Sequence, residues 1–131
     1  MKKNNESKIY NILVIEDEEA MCELIKCILA QTNYYIETFT SSRKALERFD
    51  EYPFDLVIIE LQMPDFNGLN VARRVKKKNP SIKVILVNGT QMEYGEKYLS
   101  DLGIDFVLSK PFKVDKLLEV VTRILGSSRN K

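Results

Sequence analysis

The residues best suited to chemistry in this 131-residue chain are polar side chains that follow short apolar runs. Glu16 and Asp17 follow the first run, Glu60 lies at the end of the third, and Asn88 and Lys110 follow the fourth and fifth. Carboxylates that converge repel one another, and they coexist only with a cation, a lysine or protonation. Hard oxygen ligands beside water suit Mg²⁺. The pattern therefore predicts a charged site, provided that the fold brings these residues together.

The apolar runs predict buried strands that alternate with helices. Five runs fit strands, at residues 9–15, 35–40, 55–61, 82–87 and 105–109. Spacings of three and four residues fit amphipathic helices, with apolar positions at Met21, Leu24, Ile25, Ile28 and Leu29, at Ala45, Leu46 and Phe49, and at Val114, Leu117, Leu118, Val121, Ile124 and Leu125. Further helices are predicted at residues 68–78 and, more weakly, at 91–102, where Gly95 is internal. Ser41 or Ser42 is the expected cap of the second helix.

This alternation predicts an α/β fold of the flavodoxin-like type, with a five-stranded parallel sheet in the order 2-1-3-4-5 and helices on both faces. One domain spans residues 9–125, between polar tails at 1–8 and 126–131. Ligands of such sheets lie beyond the carboxyl ends of the strands, where strands 1 and 3 are neighbours. The predicted topology therefore gathers the polar side chains at one edge of the sheet. Acidic strand ends and Lys-Pro turns are common in α/β proteins, so each residue alone is a weak signal.

Composition excludes several classes of function. The net charge is +1, which gives no overall field toward nucleic acid or anionic membrane. The chain has no histidine, which excludes histidine-based catalysis and histidine-ligated metals. Cys22 and Cys27 are expected to be buried or half-buried packing residues in a reducing cytoplasm. No apolar run has the length of a membrane span, and the basic residues from Arg73 to Lys83 fit a solvated helix face better than a nucleic-acid patch.

The sequence around the apolar runs resembles the receiver domains of response regulators, which act in two-component signalling. Three features carry the resemblance: Ile15-Glu16-Asp17-Glu18-Glu19, the run 55–61 followed by Met63-Pro64 and Gly68, and the segment 103–112 with Lys110-Pro111. Asn88 lies 28 residues after Glu60 and Lys110 lies 50 residues after it, which matches the family's spacing. The resemblance covers residues 9–125.

The resemblance implies roles for individual residues. Glu60 occupies the position of the aspartate that accepts a phosphoryl group, and Glu16, Asp17, Glu60 and Gln62 are the expected ligands of a weakly bound Mg²⁺. Asn88 and Lys110 occupy the positions that contact the phosphoryl group, and Val107 stands where an aromatic side chain normally moves inward. The expected output face consists of Tyr94, Tyr98, Leu102, Phe106 and Phe112.

Three of these positions depart from the family's pattern: Glu60 replaces aspartate, Asn88 replaces threonine or serine, and Val107 replaces the aromatic residue. Phe106 is no substitute, because adjacent residues on a strand face opposite sides of the sheet. The extra methylene of Glu60 moves its carboxylate about 1.5 Å, one carbon–carbon bond, further into the pocket. Phosphoryl transfer depends on accurate placement of the nucleophile.

These residues predict a non-enzymatic receiver-like module that has a degenerate acceptor site and acts mainly through protein–protein interaction. The alternative is a working phospho-receiver that is phosphorylated at Glu60 or at another site. Expected partners are a histidine kinase or another signalling protein, with the domain as part of a larger hybrid kinase or regulator, and with neither nucleic acid nor membrane bound by this domain. An FMN protein is disfavoured because Glu16 to Glu19 would repel phosphate. A magnesium-dependent phosphohydrolase is disfavoured because Asp17 is not part of an Asp-x-Asp pair.

Overall fold

A computed structural model describes residues 8–30, 33–89 and 94–126 of the chain. Its strands are β1 (Tyr10–Ile15), β2 (Tyr34–Phe39), β3 (Leu56–Glu60), β4 (Lys83–Asn88) and β5 (Phe106–Ser109). They form one sheet in the order β2-β1-β3-β4-β5, and every neighbouring pair is parallel. The helices are α1 (Glu19–Ile28), α2 (Ser42–Glu51), α3 (Gly68–Lys78), α4 (Glu96–Asp101) and α5 (Val114–Gly126). The predicted flavodoxin-like fold and strand order are confirmed.

Two apolar layers enclose the sheet. Along β3, Val57 and Ile59 belong to the layer covered by α2, α3 and α4, whereas Leu56 and Ile58 belong to the layer covered by α1 and α5. All five residues of β3 are buried, which explains why this strand is apolar without alternation until Glu60. The sheet therefore holds Glu60 at the centre of its carboxyl edge.

The ends of two helices follow from their caps. The Ser41 hydroxyl accepts a hydrogen bond from the Lys44 N–H at 3.2 Å, so Ser41 rather than Ser42 is the cap of α2. The Asn67 side chain caps α3 by accepting from the Leu69 N–H at 2.6 Å. Three lysines occupy the last turn of α3, where positive charge favourably meets the helix dipole.

Several predicted details are wrong. Leu24 and Val114 were expected on buried helix faces, but both are exposed, and Ile9 precedes β1 and is exposed. Cys22 is buried as expected, whereas Cys27 is exposed. An apolar stripe defines the direction of a helix face but not its width, so residues at the margin of the stripe reach solvent.

The fourth helix differs most from its prediction. Residues 90–93 lie outside the described part of the chain, and α4 comprises only Glu96–Asp101. Gly95 is the N-cap of this helix, in an extended conformation, and not an internal residue. The predicted helix-propensity penalty at Gly95 therefore does not apply. The predicted tails 1–8 and 126–131 also lie outside the described residues, apart from Lys8 and Gly126.

Candidate functional site

Backbone hydrogen bonds at the carboxyl ends of the strands fix the positions of the charged side chains. The Glu16 N–H donates to the Phe39 carbonyl at 3.0 Å, which continues the pairing of β1 with β2. The Lys110 N–H donates to the Asn88 carbonyl at 2.9 Å, which continues the pairing of β5 with β4. Glu60 is itself the last residue of β3. The sheet thus presents all three residues from well-paired backbone.

Lys110 bridges two buried glutamates in what we call the strand-end pocket, formed by Glu16, Glu60, Asn88 and Lys110. Its Nζ lies 2.7 Å from Oε1 of Glu60 and 3.2 Å from Oε1 of Glu16. Glu16 is 2% exposed and Glu60 is 6% exposed, so their charges are shielded from water. One ammonium group therefore faces two carboxylates.

The second oxygen of each carboxylate is also engaged. Oε2 of Glu16 accepts a hydrogen bond from the Glu18 N–H at 3.3 Å, and Oε2 of Glu60 accepts one from the Gln62 N–H at 3.3 Å. Oε1 of Glu60 has no hydrogen-bond partner within the described ranges, so the Lys110 charge is what compensates its burial. The backbone after each glutamate thus folds back onto its own side chain.

The protonation of the pocket reflects the excess of negative charge. Burial raises the pKa of Glu16 to about 7, and this effect outweighs Lys110 and the Glu18 N–H, which act to lower it. The nearby Asp17 carboxyl also acts to raise it. Burial by itself would lower the pKa of Lys110, but its contacts with Glu60 and Glu16 raise that pKa above its ordinary value. Lys110 therefore stays charged, whereas Glu16 is partly protonated near neutral pH.

The predicted metal ligands differ in burial and in whether they contact Lys110. Glu16 and Glu60 meet at Lys110, whereas the side chains of Asp17 and Gln62 are exposed. Within the described residues, no three acidic or thiol side chains converge in a way that could hold a metal ion. With Lys110 between the two buried carboxylates, the arrangement does not fit Mg²⁺, which requires near-octahedral oxygen ligands.

The other predicted site residues lie where the fold was expected to place them. Asn88 is buried at the end of β4. Val107 packs against the layer that contains α2, α3 and α4, whereas Phe106 packs against the opposite layer. The prediction that these neighbours face opposite sides of the sheet is confirmed. Phe106 therefore does not fill the place of an aromatic side chain on the Val107 side.

The five residues predicted as an output face differ in exposure and in the apolar layer against which they pack. Tyr94 and Tyr98 are exposed and stack on each other, with ring centroids 5.4 Å apart. Leu102 is half-buried against the α2, α3 and α4 layer, whereas Phe106 and Phe112 are half-buried against the α1 and α5 layer. The exposed part of the predicted face is thus the tyrosine pair, and its role in output stays a prediction.

Asp65 is a structural residue that the sequence interpretation missed. Its Oδ1 accepts from the Ser42 N–H at 3.1 Å, and its Oδ2 accepts from the Arg43 N–H and the Ser41 hydroxyl, each at 3.0 Å. Burial acts to raise the pKa of Asp65, but these hydrogen bonds hold it well below its usual range. The loop after Glu60 is thereby tied to the start of α2. The Pro64-Asp65 turn and the serine pair at 41–42 are the only sequence signals of this contact.

Gly68 packs directly against the backbone of the site. A Cβ atom at this position would lie 2.6 Å from the Glu60 carbonyl oxygen and 2.9 Å from Cα of Leu61. The Gly68 N–H also donates to the Leu61 carbonyl at 2.8 Å. The absence of a side chain therefore lets α3 begin close enough to hold the end of β3.

Comparison with solved structures shows the same fold in receiver domains of other organisms. A receiver domain protein from Methanospirillum hungatei JF-1 superposes with a TM-score of 0.86 at 24% identity, covering 93% of this chain and 98% of that one. A response regulator receiver domain from Clostridium thermocellum gives 0.83 at 27% identity, covering 92% and 98%. Within the described residues, no helix is both long and apolar enough to cross a bilayer.

The curated relatives are longer proteins. The response regulator ArlR of Staphylococcus epidermidis is 28% identical over 121 residues, which is 92% of this chain and 55% of that protein. ArlR of Staphylococcus aureus is also 28% identical, over 120 residues and 54% of its length. The chain thus spans about half the length of the curated relatives it matches. The family profile described as the response regulator receiver domain matches residues 12–122. The chain therefore belongs to the response regulator receiver domain family, whose members are signalling modules of two-component systems.

Proposed function

We propose that this receiver domain is a signalling module with a degenerate acceptor site, held in one state and acting mainly by binding other proteins. The observation that carries the proposal is the buried ion pair between Glu60 and Lys110, 2.7 Å apart, at the position where the family accepts a phosphoryl group. Because the Lys110 ammonium group already compensates the charge of Glu60, this carboxylate gains less from binding another ligand.

The geometry at Glu60 supports a loss of phosphoryl transfer. An acceptor oxygen must approach the donor phosphorus in line and within a narrow range of positions. Oε1 of Glu60 is held by the Lys110 ammonium, and Oε2 is held by the Gln62 N–H. The longer side chain also brings negative charge closer to where an incoming phosphoryl group would lie. Both effects oppose transfer to Glu60.

The residues that would transmit a change at position 60 support the same conclusion. Asn88 offers an amide instead of a hydroxyl at the end of β4, and Val107 offers a small apolar side chain instead of an aromatic ring. A switch requires an element with two arrangements that the ligand can bias. Val107 is packed against the core and has no polar group with which to report on the pocket.

We propose that the partner is a histidine kinase or another signalling protein in the cytoplasm, and that the domain works within a larger hybrid kinase or regulator. The names of the relatives and their greater length support this context. Mg²⁺ binding is proposed to be weak, because the ion would have to displace Lys110 from both glutamates.

Intact-mass measurement after incubation with a small acyl phosphate donor and Mg²⁺ tests the proposal. We expect the wild type and Glu60→Gln, which keeps the side-chain size without the charge, to gain no mass. We expect Glu60→Asp to gain one phosphoryl group, because it restores the shorter acceptor while Lys110 remains. A phosphoryl group on the wild type would overturn the proposal in favour of a working phospho-receiver. Failure of Glu60→Asp to react would show that side-chain length at position 60 is not the cause.

A further inference from the structure

We infer that the solvent side of α3, formed by Arg73, Arg74 and Lys77, is a docking surface for an acidic segment of a partner protein. We call this surface the basic α3 face. The inference rests on the proposed function, since it takes the domain to act by binding other proteins. It adds where one such partner binds and which charge that partner carries.

The charge of α3 is not balanced within the helix. Its 11 residues include no acid, and its cations are Arg73, Arg74, Lys76, Lys77 and Lys78. On α2, α4 and α5, by contrast, an exposed cation pairs with an acid one turn away along the same helix, namely Arg43 with Glu47, Lys97 with Asp101 and Arg123 with Glu119. Like charges one turn apart destabilise a helix. The α3 helix therefore carries a repulsion that no acid within it offsets.

The two cations at the margins of α3 already have acidic partners on other elements. Lys78 lies 2.6 Å from the Asp50 carboxylate on α2, and Lys76 lies 3.2 Å from the Asp105 carboxylate just before β5. The stem of Lys76 also packs on Gly103, where an added Cβ atom would lie 2.6 Å from Cγ of the lysine. These contacts hold α3 from both sides. The helix thus offers a surface that needs little reorganisation when a partner binds.

The three cations of the basic α3 face lack such partners. Arg73, Arg74 and Lys77 are exposed, and in the described part of the chain none of them forms an ion pair. Arg73 donates to the neutral Asn70 side chain at 3.3 Å. Arg73 and Lys77 are one turn apart, about 6 Å along the helix axis. Carboxylates at a similar spacing would pair with this face, and each guanidinium group can hold a carboxylate through two hydrogen bonds.

The extent of the face favours a short acidic protein segment over a nucleic acid. An extended polyanion would continue past one turn of α3 and meet the exposed acids at the end of α2, Asp50 and Glu51. The α3 helix also contains no aromatic residue on which a base could stack. The net charge of +1 gives no long-range attraction toward nucleic acid. A patch confined to about one turn matches carboxylates carried by a protein helix or loop.

The test follows the fluorescence anisotropy of a labelled synthetic peptide, with glutamates spaced three and four residues apart, as the full 131-residue chain is added. Arg74→Glu combined with Lys77→Glu reverses the charge of the basic α3 face. Each substitution places an acid one turn from a remaining cation, so the fold should be kept. We expect the dissociation constant for the peptide to rise roughly tenfold or more. We also expect wild-type binding to weaken as the salt concentration rises.

Lys26→Glu combined with Lys116→Glu is the matched control. It changes the net charge by the same amount on α1 and α5, which cover the opposite side of the sheet, at two exposed lysines. We expect this control to keep most of the wild-type affinity. If circular dichroism shows that the α3 variant is unfolded, Arg74→Gln combined with Lys77→Gln decides the test, with a loss of affinity in the same direction.

Four results would overturn the inference. They are no binding of the peptide by the wild type, an equal affinity loss in the α3 variant and the control, tighter binding of a labelled DNA duplex than of the peptide, and self-association of the wild type in sedimentation that the α3 variant loses. The last two would assign the face to nucleic acid or to a second copy of the chain. None of these results alters the intact-mass outcome at position 60, so a failure here is distinguishable from a failure of the proposed function.

Discussion

Two charged clusters at different places on the sheet differ in how deeply their acidic side chains are buried. On β2 and α2, the Arg48 guanidinium holds the Glu37 carboxylate through two hydrogen bonds of 2.8 Å, and it also lies 3.6 Å from the exposed Glu51 carboxylate. The Tyr35 hydroxyl donates to the Glu37 carboxylate at 2.6 Å, and Arg48 lies over the Tyr52 ring. In the strand-end pocket, a single ammonium serves two carboxylates that are almost fully buried.

The two clusters also differ in how their acids titrate. The hydrogen bonds from Arg48 lower the pKa of Glu37, whereas burial raises the pKa of Glu16. The β2–α2 cluster thus links a strand to a helix through partly exposed ion pairs. The strand-end pocket retains an uncompensated charge at the carboxyl edge of the sheet, where ligands of this fold bind. Perturbed acids in such a place are typical of functional sites.

Removing the cation from each cluster should produce the largest difference in stability between the two clusters. Lys110→Met leaves two buried carboxylates unpaired, so we expect a loss of about 3–5 kcal/mol in the free energy of unfolding at neutral pH without Mg²⁺. Arg48→Met leaves Glu37 near solvent with its Tyr35 hydrogen bond intact, so we expect a clearly smaller loss. Denaturant unfolding of both variants measures the difference. Equal losses would show that the pocket is not energetically distinct.

Substitution of Gly68, which packs against the backbone of Glu60, should have the second-largest effect on stability. The Cβ of Gly68→Ala would overlap the Glu60 carbonyl oxygen, so α3 or the end of β3 must shift. We expect a loss of about 1–3 kcal/mol in the free energy of unfolding, the range for inserting an extra methyl group into a packed site. Gly95→Ala is the matched control, because a Cβ there meets no atom within 4 Å. Comparable losses in both variants would contradict the packing argument.

The opposite titration of the two clusters predicts a smaller, pH-dependent effect. The pKa of Glu16 is about 7 in the folded chain, against an ordinary value of 4.5. Between these values the folded chain binds more protons, so its free energy of unfolding should rise as the pH is lowered from about 7 toward 4.5. Glu37 acts in the opposite sense, since its lowered pKa stabilises the fold until the pH falls through that lower range.

Unfolding of wild type and Glu16→Gln at a series of pH values measures this contribution. The variant has no titrating carboxyl at position 16, so its stability should change less between pH 7 and pH 5 than that of the wild type. Parallel curves for the two proteins would show that Glu16 does not titrate in this interval.

The fold could be predicted from the sequence because its signals are local and repeated. The unbroken apolar run before Glu60 required a strand covered on both faces, and the separation of Phe106 from Val107 followed from strand alternation alone. The exposure of Leu24 could not be predicted, because it depends on how widely the sheet and α5 cover α1. The position of Gly95 at a helix start depends on where the chain turns, which its neighbours do not determine.

The site could be predicted in part. Strand order alone brings Glu16, Glu60 and Lys110 to one edge of the sheet. The contacts of Lys110 with the two glutamates depend on the lengths of the side chains and on how the lysine crosses the end of β4. The spacing of these residues along the sequence reveals neither. Asp17 was expected among the metal ligands, yet its side chain is exposed beside the buried Glu16. The hydrogen bonds of Asp65 to the start of α2 join segments more than 20 residues apart and have no periodic signal.

The central claim is that events at position 60 no longer change the surface formed by α4 and β5. Amide hydrogen exchange of the wild type and Glu60→Gln, each with and without Mg²⁺, tests it most directly. Glu60→Gln removes the charge that holds Lys110 while keeping the side-chain size, so a surviving switch would respond to it. We predict matching exchange in α4 and β5 under all four conditions, with differences confined to the backbone around Glu60 and Lys110. A Mg²⁺-dependent change in α4 and β5 would contradict the claim.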